Sequence, residues 1–167
     1  KALSNKQLGD FKSSLINFVW LTPALELLLI AGKSERRDYL DKIVSDIDFK
    51  HIERINQYQK TLKERLLILQ KYQGKISAVN WLEIIENKIV ELGVAIAFAR
   101  LEAIEFFNKA INSFESNFPK AKLEISGDIE EMAKNQTTSL KIEEFYHKKL
   151  HENRENDAQN FKTAFGV

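Results

Sequence analysis

The chain has 167 residues, 44% of them hydrophobic, which is enough for one ordinary core. Its 25 basic and 24 acidic residues nearly cancel, so any polyanion site must be a local patch rather than a property of the whole chain. Cysteine is absent, which excludes disulfides and thiolate metal sites and suits a reducing, cytoplasmic location.

The first residue is lysine and the only methionine is Met132, so a piece or processed form of a longer protein is expected. The one long apolar run, LINFVWLTPALELLLIA (15–31), is interrupted by Pro23 and Glu26. Its length is at the bottom of the range for a membrane span, and no charged leader with a cleavage site precedes it, so neither a membrane crossing nor a signal peptide is expected. Within it INFVW (16–20) reads as a short buried strand ended by the LTP breaker, and 23–31 as a short helix opened by Pro23 and stopped by Gly32.

GKSERRDYLD (32–41) reads as the start of a helix running to about Ile47, with Ser34 placed as its cap and Glu35 behind it. Arg36 and Arg37 then fall where the helix macrodipole is already positive, and each calls for an anion. At about 100° per residue, Tyr39, Leu40, Ile43 and Ile47 define the buried face and Arg36 shares it, whereas Arg37 points toward Asp41. Arg36 is therefore expected to be substantially buried and paired. Its partner is a carboxylate or backbone carbonyls within the protein on the favoured reading, and a DNA or nucleotide phosphate on the other.

Over 49–72, Ile52, Ile55, Tyr58, Leu62, Leu66 and Leu69 recur every three or four residues, predicting an amphipathic helix that QGKISA (73–78) closes. Its KTLKER segment is expected to crowd Lys60, Lys63 and Arg65 onto one outward sector, continued by Lys71 and Lys75. Such a sector is a candidate for weak, sequence-independent phosphate contact, although Glu64 among the cations is what a simply solvated face would also show.

From Trp81 through Ile85, Ile89, Leu92, Ile96, Ala99, Ala103, Phe107, Ala110 and Phe114 to Phe118, apolar residues alternate by fours and threes. One helix of roughly 55–60 Å is predicted, stopped by Pro119, with the all-round apolar GVAIAFARLEAI clasped by neighbours. AKLEISG (121–127) alternates as a strand and DIEEMAKNQTTS (128–139) reads as a polar loop. SLKIEEFYHKKLHENRENDA (139–158) reads as a helix with Leu140, Phe145, Tyr146 and Leu150 on one side, and FKTAFGV (161–167) as a strand. The fold class is thus mainly α with a few short β-strands.

Catalytic constellations are hard to assemble. His147 and His151 stand four apart in HKKLH, but without the metalloprotease glutamate they read as a lysine-rich solvated face. No GxxxxGK[ST] loop or GxGxxG turn is present, so this chain is expected to bind neither ATP nor magnesium and to have no catalytic residue or metal site. From the residues alone it is a helical interaction or structural module, with a stand-alone protein–protein adaptor as one form of it.

FVWLTP, SERRDYLD, YQKTLKERLLIL, LGVAIAFARLEAIE and YHKKLHENRENDAQNFKTAFGV follow one another in the order and spacing of the bacterial RecF recombination proteins, and the chain resembles that family over essentially all its length. The resemblance implies the middle of a DNA replication and repair protein: 1–47 as the end of one half of an ABC-type ATPase head, 48–118 as an inserted arm with a long helix hairpin, and 119–167 as a return strand, a helix and the start of the other head half. It also implies that the Walker A loop lies before Lys1 and the signature and Walker B motifs after Val167, so that ATP and magnesium belong to the full-length protein. The implied partners are DNA, both duplex and gap junctions, RecR and RecO, and a second copy in an ATP-dependent homodimer that helps load RecA. Two positions depart from the family: Ala24, where an acidic or amide residue often follows the proline, and Leu66, where an asparagine usually follows the arginine.

Overall fold

The computed structural model describes residues 32–72 and 79–167, with the isolated residues 28 and 30. The expected strand at 16–20, nearly all of the helix expected at 23–31, and Lys75 lie outside the described residues. The chain divides into two compact units, Lys1–Lys50 and His51–Val167.

In the first unit, α1 spans Lys33–Ile47. It begins just ahead of Ser34, with Gly32 as its N-cap residue and no side-chain capping bond, so Ser34 lies inside the first turn. The buried residues of α1 are Asp41 and Val44, while Ile47, expected on the buried face, is 52% exposed.

The second unit is built on two helices, α2 (His51–Tyr72) and α3 (Val79–Ser113). Arg65 meets Glu86, and Leu67, Ile68, Gln70 and Lys71 share a groove with Trp81 and Ile85, so the two helices run antiparallel as a hairpin. Three shorter helices cover it: α4 (Asp128–Lys134), α5 (Ser139–Glu152) and α6 (Arg154–Asn160). The core joins Tyr58, Ile68 and Leu69 of α2, Leu82, Ile85, Ile89, Leu92 and Ile96 of α3, and Ile142, Tyr146 and Leu150 of α5. The three α5 residues are spaced by four and leave Leu140 65% exposed, so the buried stripe of that helix starts one residue pair later than its apolar pattern suggests.

Gly93, in the middle of α3, lets a ring of α5 approach its backbone closely. A Cβ there would lie 2.6 Å from Cε1 of Tyr146, so only glycine admits that ring. The Tyr146 hydroxyl then lies 2.6 Å from that of Tyr58, joining α5 to α2. Burial, reinforced by Tyr58, pushes the Tyr146 phenol well above its ordinary value and keeps it a neutral hydrogen-bonding group.

The long helix ends earlier than its apolar spacing predicts. At 35 residues α3 is about 52 Å long. It stops at Ser113, beyond which Phe114 and Phe118 are 69% and 82% exposed, and the Lys120 ammonium takes up the Asn112 carbonyl freed at the helix end.

Residues 128–134, expected as loop, form α4, with Asp128, Glu130 and Glu131 in its first turn where the macrodipole favours them. The helix expected over 139–158 is broken at Asn153 into α5 and α6. No strand occurs among the described residues: 121–126 and 161–167 lack the ladder their alternation needs.

Candidate nucleic-acid interface

Helix α2 carries the cations that the sequence marks out, and it separates them. Lys60 and Lys63 are exposed, with Lys60 3.9 Å from Glu64 in a loose surface pair. Arg65, expected beside them, is fully buried, so the outward sector consists of the lysines without it. Along a helix Arg65 lies about 140° from Lys60 and about 160° from Lys63, which turns it into the core alongside Tyr58, Leu62 and Leu69.

A guanidinium in that position must be paired, and Arg65 is. Its Nε donates to Glu86 Oε1 at 2.8 Å, one terminal nitrogen to Asp157 Oδ2 at 2.6 Å, and the other to the Leu150 carbonyl at 2.6 Å. Arg154 donates to both Glu86 oxygens, its Nε lying 3.1 Å from Oε1. The second oxygen of Asp157 accepts the Ala164 backbone N–H at 2.7 Å. Two guanidinium groups and two carboxylates thus form a neutral buried network that ties α2, α3, α6 and the segment after α6 together. Burial alone would raise the Glu86 carboxyl, but hydrogen bonds and charge from Arg154 and Arg65 outweigh it and hold the group below its ordinary range.

A second buried pair, Arg100 with Glu130 at 3.9 Å, links α3 to α4. The sequence does not single out Glu86, Asp157 or Arg154, because a charged residue inside a helical pattern looks like a solvated one until its wheel position is set against the apolar stripe.

The expectation for Arg36 in α1 also requires correction. Arg36, expected to be substantially buried, is exposed, whereas Arg37 is exposed as its outward position implies. The buried side of α1 centres on Asp41 and Val44, about 140° and 80° around the helix from Arg36, which leaves that side chain off the covered stripe.

The fold and this site define a helical hairpin module, locked internally by charge, that turns exposed lysines outward. No helix among the described residues is long and apolar enough to cross a membrane. The chain is similar over its whole length to the DNA replication and repair protein RecF of Rickettsia bellii, with 34% identity, and over 99% of its length to those of Rickettsia africae and Rickettsia felis, with 38% and 37%. The match to these RecF proteins runs through the whole chain, as it would for a fragment of one. The chain spans a little under half the length of these relatives, 48% in the first case and 43% in the other two. No protein-family model and no solved structure matches it.

Proposed function

We propose that this chain is the arm-bearing middle portion of an ATP-dependent, DNA-binding recombination mediator. The single observation that carries the reading is the end-to-end match to proteins named for DNA replication and repair. In the intact protein an ABC-type ATPase head, formed by sequence on either side of this portion, holds ATP and magnesium and closes as a homodimer on DNA. With RecO and RecR the protein helps load RecA at single-strand gaps in the cytoplasm. Within this portion, Lys60 and Lys63 contact phosphates through charge alone, and the Arg65 network fixes the face of α2 that presents them.

The test is duplex binding by the intact protein with Lys60 and Lys63 changed to alanine. For each lysine that neutralises a phosphate, its removal should flatten the dependence of log K on log salt by about 0.9. A double variant with unchanged affinity and unchanged salt slope removes these lysines from the interface.

A further inference from the structure

The lysine-bearing face of α2 does not end at Lys63. About 100° per residue brings Lys60, Lys63, Glu64, Leu67 and Lys71 within one sector of roughly 100°. Leu67 is 58% exposed, and beyond it, across the hairpin, Trp81 is 53% exposed. Together with Glu64, Ile68, Lys71 and Ile85 these two line a groove of about 630 Å³. Half of the surface of an indole is thus left in water at the end of a cationic track. Trp81 begins the apolar series of α3, but the buried stripe of that helix starts with Leu82 and Ile85.

We propose that Trp81 is a stacking platform for an unpaired nucleobase, whose flanking phosphates run along Lys71, Lys63 and Lys60. The inference rests on the DNA-binding reading above and names the form of DNA that this face takes: a strand leaving a duplex, or a single strand. Three observations select a nucleic acid as the occupant. The groove has an aromatic face and an apolar floor of Leu67, Ile68 and Ile85, which suits the flat face of a base. Lys60, Lys63 and Lys71 share its sector with one carboxylate, Glu64, so the sector is net positive. The track also has the right reach, since Lys63 to Lys71 spans about 12 Å of helix, close to two phosphate intervals of an extended strand. Base stacking on an aromatic residue is indifferent to sequence, as is lysine contact with phosphates, so this face discriminates paired from unpaired DNA without reading bases.

The experiment uses the intact protein with two DNAs, a blunt duplex and the same duplex carrying a single-stranded extension whose first unpaired base is 2-aminopurine. Trp81→Ala should weaken binding of the extended DNA about tenfold and abolish the change in 2-aminopurine fluorescence, while leaving the blunt duplex unaffected. Trp81→Phe, which keeps an aromatic face, should restore most of both signals, a rescue that a packing role for this half-exposed side chain would not tie to the 2-aminopurine readout. If Trp81→Ala binds and perturbs 2-aminopurine like the parent, the platform does not exist. If Trp81→Ala leaves both DNAs unaffected but changes the sedimentation of the protein, the groove is a protein contact and the proposal is overturned. The lysine variants separate this from the parent reading. Loss of binding to both DNAs in Lys60→Ala/Lys63→Ala, with Trp81→Ala neutral, removes the platform alone, whereas neutral lysine variants remove the cationic face beneath it.

Discussion

Arg65 in α2 and Asp157 in α6, separated by 92 positions in the chain, meet at 2.6 Å with no solvent on either side chain. Removing one partner of a buried pair strands the other, so Arg65→Ala should destabilise the fold by about 3–5 kcal/mol. Lys63→Ala, only two positions away but exposed, should stay within about 0.5 kcal/mol of the parent. Urea denaturation of the two variants measures the contrast, and similar midpoints would mean that Arg65 is not held as described.

Acid should act on the same network through Glu86. Its carboxyl titrates below the ordinary value of 4.5 when folded, so in this range the unfolded chain binds the proton more readily. The associated stability is fully present above that value and is lost as pH falls from it through the folded pKa. Glu86→Gln should therefore be markedly less stable than the parent at pH 7, and the gap should narrow as pH falls below about 4.5. Denaturation midpoints of both proteins across that range give the result, and a gap independent of pH would detach Glu86 from the acid response.

A guanidinium on an apolar face must be paired, and the arginine that lies on such a face is Arg65 rather than the exposed Arg36. The helical wheel of α2 holds that answer, since Arg65 lies within about 60° of Tyr58, Leu62 and Leu69, the buried side of a helix. A cluster of cations in sequence is not a cluster in space, and the run from Lys60 to Arg65 conceals the difference. The helices themselves are legible because α2 and α3 are long and strongly periodic. The segment 121–126 misleads for a different reason. Alternation reports which faces a strand would present, but pairing needs a second strand, and no ladder forms among the described residues. Trp81 fits its apolar series in spacing and still faces water, because periodicity marks a face but not how far along the helix that face is covered.

Gly93→Ala tests the packing of α3 against α5. Alanine in a helix interior gains up to about 1 kcal/mol over glycine, yet its methyl would lie 2.6 Å from the buried Tyr146 ring. Tyr146 is held by the Tyr58 hydroxyl and by the edge of Phe165, whose ring centroid is 5.1 Å away, so it has little room to yield. Overpacking of this kind costs about 1–3 kcal/mol, and the net change should be destabilising. Adding Tyr146→Phe removes the hydroxyl, which the methyl would approach at 3.0 Å, and should recover part of that loss. A Gly93→Ala variant that melts above the parent would show that the ring moves freely.

Asn108 makes the least obvious contact and gives the sharpest local test. Its amide nitrogen donates to the Leu123 carbonyl at 2.8 Å, and its amide oxygen accepts the Leu123 N–H at 2.9 Å, so one side chain answers both backbone groups of a residue as a neighbouring strand would. The reciprocal pairing also fixes the orientation of the amide, because turning it over would set donor against donor and acceptor against acceptor. Asn108→Asp keeps the acceptor but sets a carboxylate oxygen against the Leu123 carbonyl, and Asn108→Ala removes both bonds. The site is exposed, so either change should cost only about 0.5–1.5 kcal/mol per bond, too little to unfold the core. Amide hydrogen exchange is the fitting measurement. Protection of the Leu123 N–H should fall in Asn108→Ala while the amides of α2 and α5 stay protected, and an equally slow Leu123 amide in that variant would mean that another acceptor holds the segment against α3.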